Sequence, residues 1–262
     1  MTNALPWDGL DPASTAFFLD CDGTLAAIVD QPDAACLEPD ILNCLEILHQ
    51  VTGGALAIVS GRSILQLDAM LSPLVLPLAG VHGIERRDGG GTIYRPNYDA
   101  AAVNQIGLEV DGFAAQHVGL VSEVKSASVA LHYRMRPELE AEGLTLMSQI
   151  ASRHSDFRLL RGKMVAELSA SHRTKGDAID DFMQEQPFNG RLPIFVGDDV
   201  TDEDGFAAIQ RLSGIGIKIG AGTTSATHRT GNMAEFHEWL RALADSWKPT
   251  AAEPIGGLIN QT

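Results

Sequence analysis

Two carboxylates, Asp20 and Asp22, stand two residues apart in the stretch FFLDCDGTLA at residues 17–26. Phe17, Phe18 and Leu19 before them form a continuous apolar run, the pattern of a strand buried on both faces of a parallel sheet. Gly23 follows, and a residue without a side chain lets a ligand approach the backbone. Open parallel sheets bind ligands at the carboxyl ends of their strands, where this pair would stand. A simple Asp-Gly turn has the same local composition. The pair gains chemical meaning only if the chain also supplies a cation and something for the carboxylates to attack.

Three further stretches supply those complements. In VGDDVTDEDGF, Asp198 and Asp199 follow the apolar run LPIFVG directly. Asp202, Glu203 and Asp204 fit a first helical turn behind Thr201, where acids complement the macrodipole, but that account does not reach Asp198 and Asp199. Carboxylates converging from neighbouring strand ends repel one another unless a hard divalent cation lies between them. SGRS at 60–63 ends a second apolar run, and the Ser60 hydroxyl with backbone amides at a helix start forms a phosphate site over which Arg62 can lie. A Ser-Gly turn is the plainer reading of that tetrapeptide. Lys175 opens a helix whose apolar face is Ala178, Ile179, Phe182 and Met183, a place where a cation opposes the macrodipole unless an anion or carboxylates face it. The set describes phosphoryl transfer: an aspartate nucleophile, Mg²⁺ between carboxylates and phosphate oxygens, and Lys and Ser stabilising the added charge.

The elements that must position these residues read as an α/β fold with a largely parallel sheet. Apolar runs at 16–20, 55–60, 192–197 and 214–220 alternate with helical stretches. RRDGGGTIYRP has the glycine-rich turn of a hairpin. From residue 99 the texture changes to two α-β-β units, which places an inserted layer at 99–170 between core segments 1–98 and 171–262. The C-terminal KPTAAEPIGGLINQT reads as a loose tail.

Composition narrows the partners. The chain has 262 residues, 45% of them hydrophobic, enough for two domains. Its net charge of −15 repels nucleic acid and anionic membrane, so an anionic substrate must be captured by local cations or a metal. No run spans a bilayer and the N-terminus lacks a secretory pattern. Cys21, Cys36 and Cys44 are odd in number without metal-type spacing, which indicates reduced thiols and a cytoplasmic protein. Cys21 reads as an apolar filler, and a monomer is expected.

DCDGTL, SGR, Lys175 and GDD resemble, in order, the four motifs of the haloacid-dehalogenase-like phosphatase superfamily. More narrowly, SGRS, LAGVHGIE, EVK, LHYR, KMVAEL, TKGDAI, GDDVTDEDGF and GAGTTSATHRT are similar to the motifs of trehalose-6-phosphate phosphatases over most of the chain. The resemblance implies a Rossmann-like core with an inserted α/β cap, and Mg²⁺-dependent hydrolysis of trehalose 6-phosphate through an aspartyl-phosphate. It implies Asp20 as nucleophile and Asp22 as general acid and then base. Asp20, the Asp22 carbonyl and Asp198 would ligate Mg²⁺, with Asp199 and Asp202 in support. Ser60 and Lys175 would hold phosphate, and Arg62, Glu123, Lys125, Arg134 and Glu167 would meet the substrate. His132 and Arg134 would share a strand face. Ser169, Ala170 and His172 depart from the family's pattern of a basic residue, proline and glycine after AEL. The same core chemistry serves sucrose 6-phosphate or a glycosyl-glycerol phosphate, and a catalytically silent regulatory module would retain the fold.

Overall fold

The computed structural model describes residues 9–248 apart from 30, 32–33 and 96–97, so the tail from 249 onward lies outside the described residues. In chain order the elements are β1 (Thr15–Leu19), α1 (Pro39–Val51), β2 (Leu56–Val59), α2 (Ile64–Leu71), β3 (Leu78–Gly80), β4 (Glu85–Arg87) and β5 (Ile93–Tyr94). There follow α3 (Ala100–Ala114), β6 (Val121–Val124), β7 (Ser128–His132), α4 (Glu140–Arg153), β8 (Arg158–Gly162) and β9 (Val165–Ser169). The last are α5 (Lys175–Phe182), β10 (Leu192–Gly197), α6 (Glu203–Arg211), β11 (Ile215–Ile219), β12 (His228–Thr230) and α7 (Met233–Trp247).

The larger sheet has the order β12-β11-β10-β1-β2-β3-β4-β5. Pairings from β12 to β3 are parallel, and β4 and β5 add an antiparallel hairpin. Strand β1 runs through the middle and is buried at all five positions, as its unbroken apolar run requires. Alternation sends its side chains to two cores. Phe17 and Leu19 join Ile58, Val196 and the apolar faces of α1, α2 and α7, while Phe18 joins Phe195 and the faces of α5 and α6. Phe18, Phe182 and Phe188 sit with ring centroids 5.0–5.9 Å apart. Truncating one such ring to Ala costs about 3–5 kcal/mol, so the strand carrying Asp20 is held rigidly. Cys21 is buried in the first of these cores, as an apolar filler would be.

Inserted between β5 and α5 is a four-stranded antiparallel sheet of order β6-β7-β9-β8. Val129, Leu131, Ala166 and Leu168 pack beneath Val103, Ile106 and Val110 of α3 and Met147 and Ile150 of α4, giving this layer its own core. The other face carries polar residues in register: Glu123 opposite Ala130, and Ala130 opposite Glu167. That face turns towards the carboxyl ends of the larger sheet. Among the described residues no helix is long and apolar enough to cross a membrane.

Candidate active site

The carboxyl ends of β10, β1 and β2 lie side by side, and each ends in one part of the site: Asp198, Asp20 and Ser60. Lys175 comes from the first turn of α5, whose N-cap Thr174 forms a capping box with Asp177. Its buried ammonium donates to Asp20 Oδ1 at 2.7 Å and to Asp202 Oδ1 at 2.6 Å. Burial alone would lower the lysine's pKa, but the two carboxylates outweigh it and push it up, so Lys175 stays cationic. Asp20 moves up from the ordinary carboxylate range, chiefly through burial and then the Asp202 charge, with Lys175 pulling the other way. The macrodipole objection to a lysine at this helix start is thus answered by the carboxylates in front of it.

Asp202 is not an exposed first-turn acid. It is wholly buried, and its Oδ2 accepts the N–H groups of Asp198 at 2.9 Å and Asp199 at 2.8 Å. It braces the acidic loop from behind while its other oxygen meets Lys175. Oxygens of Asp20, Asp198 and Asp202 lie within 4.8 Å of one another, all on buried residues. Asp198 Oδ1 is buried with no hydrogen-bond partner among the described residues. An unsatisfied anionic oxygen in a carboxylate cluster suits a hard divalent cation, so the donor set fits Mg²⁺.

The loop after β1 is built tightly against this cluster. Gly23 has φ +85°, and a Cβ there would lie 2.2 Å from Asp198 Oδ2. Thr24 Oγ1 donates to Asp20 Oδ2 at 3.2 Å. Arg62 donates from Nε and Nη2 to the two oxygens of Asp22, each at 2.7 Å, a bidentate grip that fixes the carboxylate's direction. Ser60 Oγ accepts the Arg62 N–H at 3.1 Å, leaving its own hydrogen to donate. Ser63 caps α2 in a reciprocal box with Gln66, and Gln66 reaches on to Glu123 Oε1 at 2.6 Å.

The inserted sheet faces this floor across a cleft. Lys125 Nζ donates to Glu167 Oε2 and to the Gly61 carbonyl, both at 2.9 Å. His132 Nε2 pairs with Glu123 Oε2 at 2.9 Å. Burial would raise Glu123, but His132, Lys125 and Gln66 bring it down to about 2. Glu167 is likewise held well below the usual range, by Lys125 and His82 against burial. Both carboxylates are therefore anions throughout the neutral range. Asp20, Asp22, Ser60, Arg62, Glu123, Lys125, Arg134, Glu167, Lys175, Asp198 and Asp199 all line the cleft, and Asp202 lies behind it. Arg134 and His132 both line it as well, but Arg134 follows β7 rather than belonging to it. Its guanidinium donates to the carbonyls of Val29 at 2.6 Å and Lys163 at 3.1 Å, strapping the layer to the loop after β1.

Sequence reasoning passed over His82, Lys163, Gln66 and Thr24. Lys163, in the β8–β9 turn, pairs its ammonium with Asp198 and donates its N–H to Asp199 Oδ2 at 3.2 Å. Gln66 was readable, since Ser63 and Gln66 have capping-box spacing. His82 and Lys163 lie inside LAGVHGIE and KMVAEL, two stretches that carried the resemblance, but neither residue was given a role there.

The chain matches the trehalose-phosphatase family model over residues 18–236. It is 42% identical to the trehalose-6-phosphate phosphatase of Escherichia coli (strain K12) over 231 residues, 88% of this chain and 87% of that one. Its fold is similar to the C-terminal domain of C. albicans trehalose-6-phosphate phosphatase, with a TM-score of 0.80 at 20% identity over 89% of this chain and 92% of that one. A haloacid dehalogenase-like hydrolase from B. subtilis shares it more loosely, at TM-score 0.57 and 14% identity over 87% and 98% of the two chains.

Proposed function

Since this chain belongs to the trehalose-phosphatase family, we propose that it hydrolyses trehalose 6-phosphate to trehalose and phosphate, with Asp20 as the nucleophile. The observation that carries the reading is the placing of Asp20 in one cleft with its charge partner Lys175 and with the Glu123, Lys125 and Glu167 face. The phosphate end of the substrate lies against Ser60, Lys175 and the backbone beside them, and the sugar extends under the inserted layer. That layer, residues 99–170, acts as a cap that excludes water from the reacting centre.

An Asp20 oxygen attacks phosphorus as the bond from phosphorus to the sugar oxygen breaks. Asp22, aimed by Arg62, gives its proton to that departing oxygen. In the second half Asp22 takes a proton from water, whose oxygen attacks phosphorus and releases Asp20 and inorganic phosphate. Lys175 and the Ser60 hydroxyl hold the added negative charge in both halves. Mg²⁺, on which haloacid-dehalogenase-like phosphatases generally depend, would be held by Asp20, Asp198 and the Asp22 carbonyl, with Asp199 and Asp202 in support. When bound it neutralises the carboxylate cluster and the phosphate charge. Three cysteines without a disulfide support a reducing, cytoplasmic setting, and the working unit is a monomer.

Phosphate release from trehalose 6-phosphate, sucrose 6-phosphate, a glycosyl-glycerol phosphate and an aryl phosphate, with and without Mg²⁺, tests the reading. Trehalose 6-phosphate should give the highest kcat/KM. A higher value for another sugar phosphate overturns the substrate and leaves the phosphatase.

A further inference from the structure

The connection from β3 to β4 passes through three consecutive left-handed residues, Val81 (φ 48°), His82 (φ 56°) and Gly83 (φ 96°). Only the glycine adopts such angles freely, and a β-branched valine there is an outlier. Strain of this kind persists where surrounding structure over-determines it. Here the turn hangs from the phosphate loop: Val81 N–H donates to the Arg62 carbonyl at 2.8 Å and His82 N–H to the Ser60 carbonyl at 2.9 Å. The imidazole then lies against Gly61 so closely that a Cβ at 61 would stand 2.6 Å from its Cε1. From that seat Nε2 comes within 3.4 Å of Glu167 Oε2 on the inserted layer. Lys125, which meets the same Oε2, also donates to the Gly61 carbonyl. One carboxylate oxygen is thus held from two sides, and both holders rest on the phosphate loop.

We propose that His82 is a positioning residue for substrate discrimination: it seats Glu167 against the phosphate loop, so that the carboxylate facing the sugar is registered to the loop that holds the phosphoryl group. The inference rests on the reading of Glu167 as a sugar contact. A phosphate ester without a sugar never uses Glu167, so its turnover is independent of His82. A sugar phosphate needs both ends placed at once, and its binding falls when the seat is lost.

His82→Gly removes the ring while relieving the strained φ of 56° at this position, and a thermal melt confirms that the variant is folded. It should lower kcat/KM for trehalose 6-phosphate about tenfold, mostly through KM, and leave an aryl phosphate within about twofold. His82→Gln returns an N–H donor near the position of Nε2 and should recover most of the loss. In a double-mutant cycle, His82→Gly added to Glu167→Gln should cost nothing beyond Glu167→Gln alone. Equal losses on both esters, an undiminished selectivity in His82→Gly, no recovery in His82→Gln, or additive losses in the cycle would each overturn the proposal. If the wild type prefers another sugar phosphate, the substrate reading fails and the same comparison is made with the preferred ester. No preference for any sugar phosphate over the aryl ester overturns both.

Discussion

Replacing Gly23 with Ala adds one methyl group and meets two separate obstacles. Its φ of +85° is strained for any residue with a Cβ, a penalty of about 1–2 kcal/mol. The new carbon would also lie 2.2 Å from Asp198 Oδ2, 2.4 Å from Cγ and 2.8 Å from Oδ1. Restoring ordinary contact requires the carboxylate or the loop bearing Asp20 and Asp22 to retreat by roughly 1 Å, and misplacement of that size costs on the order of a hundredfold in rate. Gly222 separates the two effects, since it also has positive φ, +104°, with nothing within 4 Å of a built Cβ. Gly222→Ala should lower the melting temperature by about 2–4 °C, the shift expected from 1 kcal/mol in a chain of this size, with turnover intact. Gly23→Ala should show at least that thermal loss together with a kcat reduced about a hundredfold and a raised Mg²⁺ requirement. Phosphate release at several Mg²⁺ concentrations and a thermal melt of both variants decide it. A Gly23→Ala variant with wild-type kcat and Mg²⁺ dependence would refute the close packing of the loop after β1 on Asp198.

Asp20→Asn should abolish turnover without unfolding the chain, because a neutral amide is a poor nucleophile; a folded variant that still releases phosphate at the wild-type rate assigns the attack elsewhere. Lys175→Ala should lower kcat by about a thousandfold, measured at saturating substrate, since it strips Asp20 and Asp202 of the cation that they share. EDTA should extinguish phosphate release and excess Mg²⁺ restore it, whereas full activity in a chelator-treated sample contradicts the cation reading. Glu123 has a folded pKa of about 2 against an ordinary 4.5, so its ionised form stabilises the fold fully above pH 4.5 and loses that contribution as the pH falls towards 2. Glu123→Gln should therefore melt below the wild type at pH 7, and the gap should close across that acid interval.

The four long strands of the larger sheet were legible because each is a short apolar run, three of them followed at once by a polar residue, and their helices because apolar residues recur on one face. Strands β3 and β12, three residues each, carry no such signal; pairing with longer neighbours makes them strands. The same division runs through the site. Asp20, Asp198 and Ser60 announce themselves by following apolar runs, and Lys175 by an unfavourable place on a helix. Asp202 fitted an ordinary first turn, and only its burial behind Asp198 distinguishes it. Arg134 shows the limit from the other direction: its place in the chain said that it would line the cleft, while its carbonyl partners follow from how the layer docks, which spacing does not encode. His82 depends on a backbone reversal that local composition leaves open.

Strand β1, which leads into Asp20, pairs along its whole length with β10, Thr15 facing Leu192 and Leu19 facing Val196. In a ribosome-bound chain, produced at about 5–20 residues per second, β1 can pair with β2 early but waits roughly 10–35 s for β10 on its other side. The inserted layer, complete by Ser169 and carrying its own core, can gather its native contacts during that wait. Closure of β1 against β10 is a long-range event whose loop entropy slows folding. It is also the event that brings Asp20 to Asp198 and Asp202, so a chain stalled before residue 192 lacks both the central pairing and two of the three clustered carboxylates.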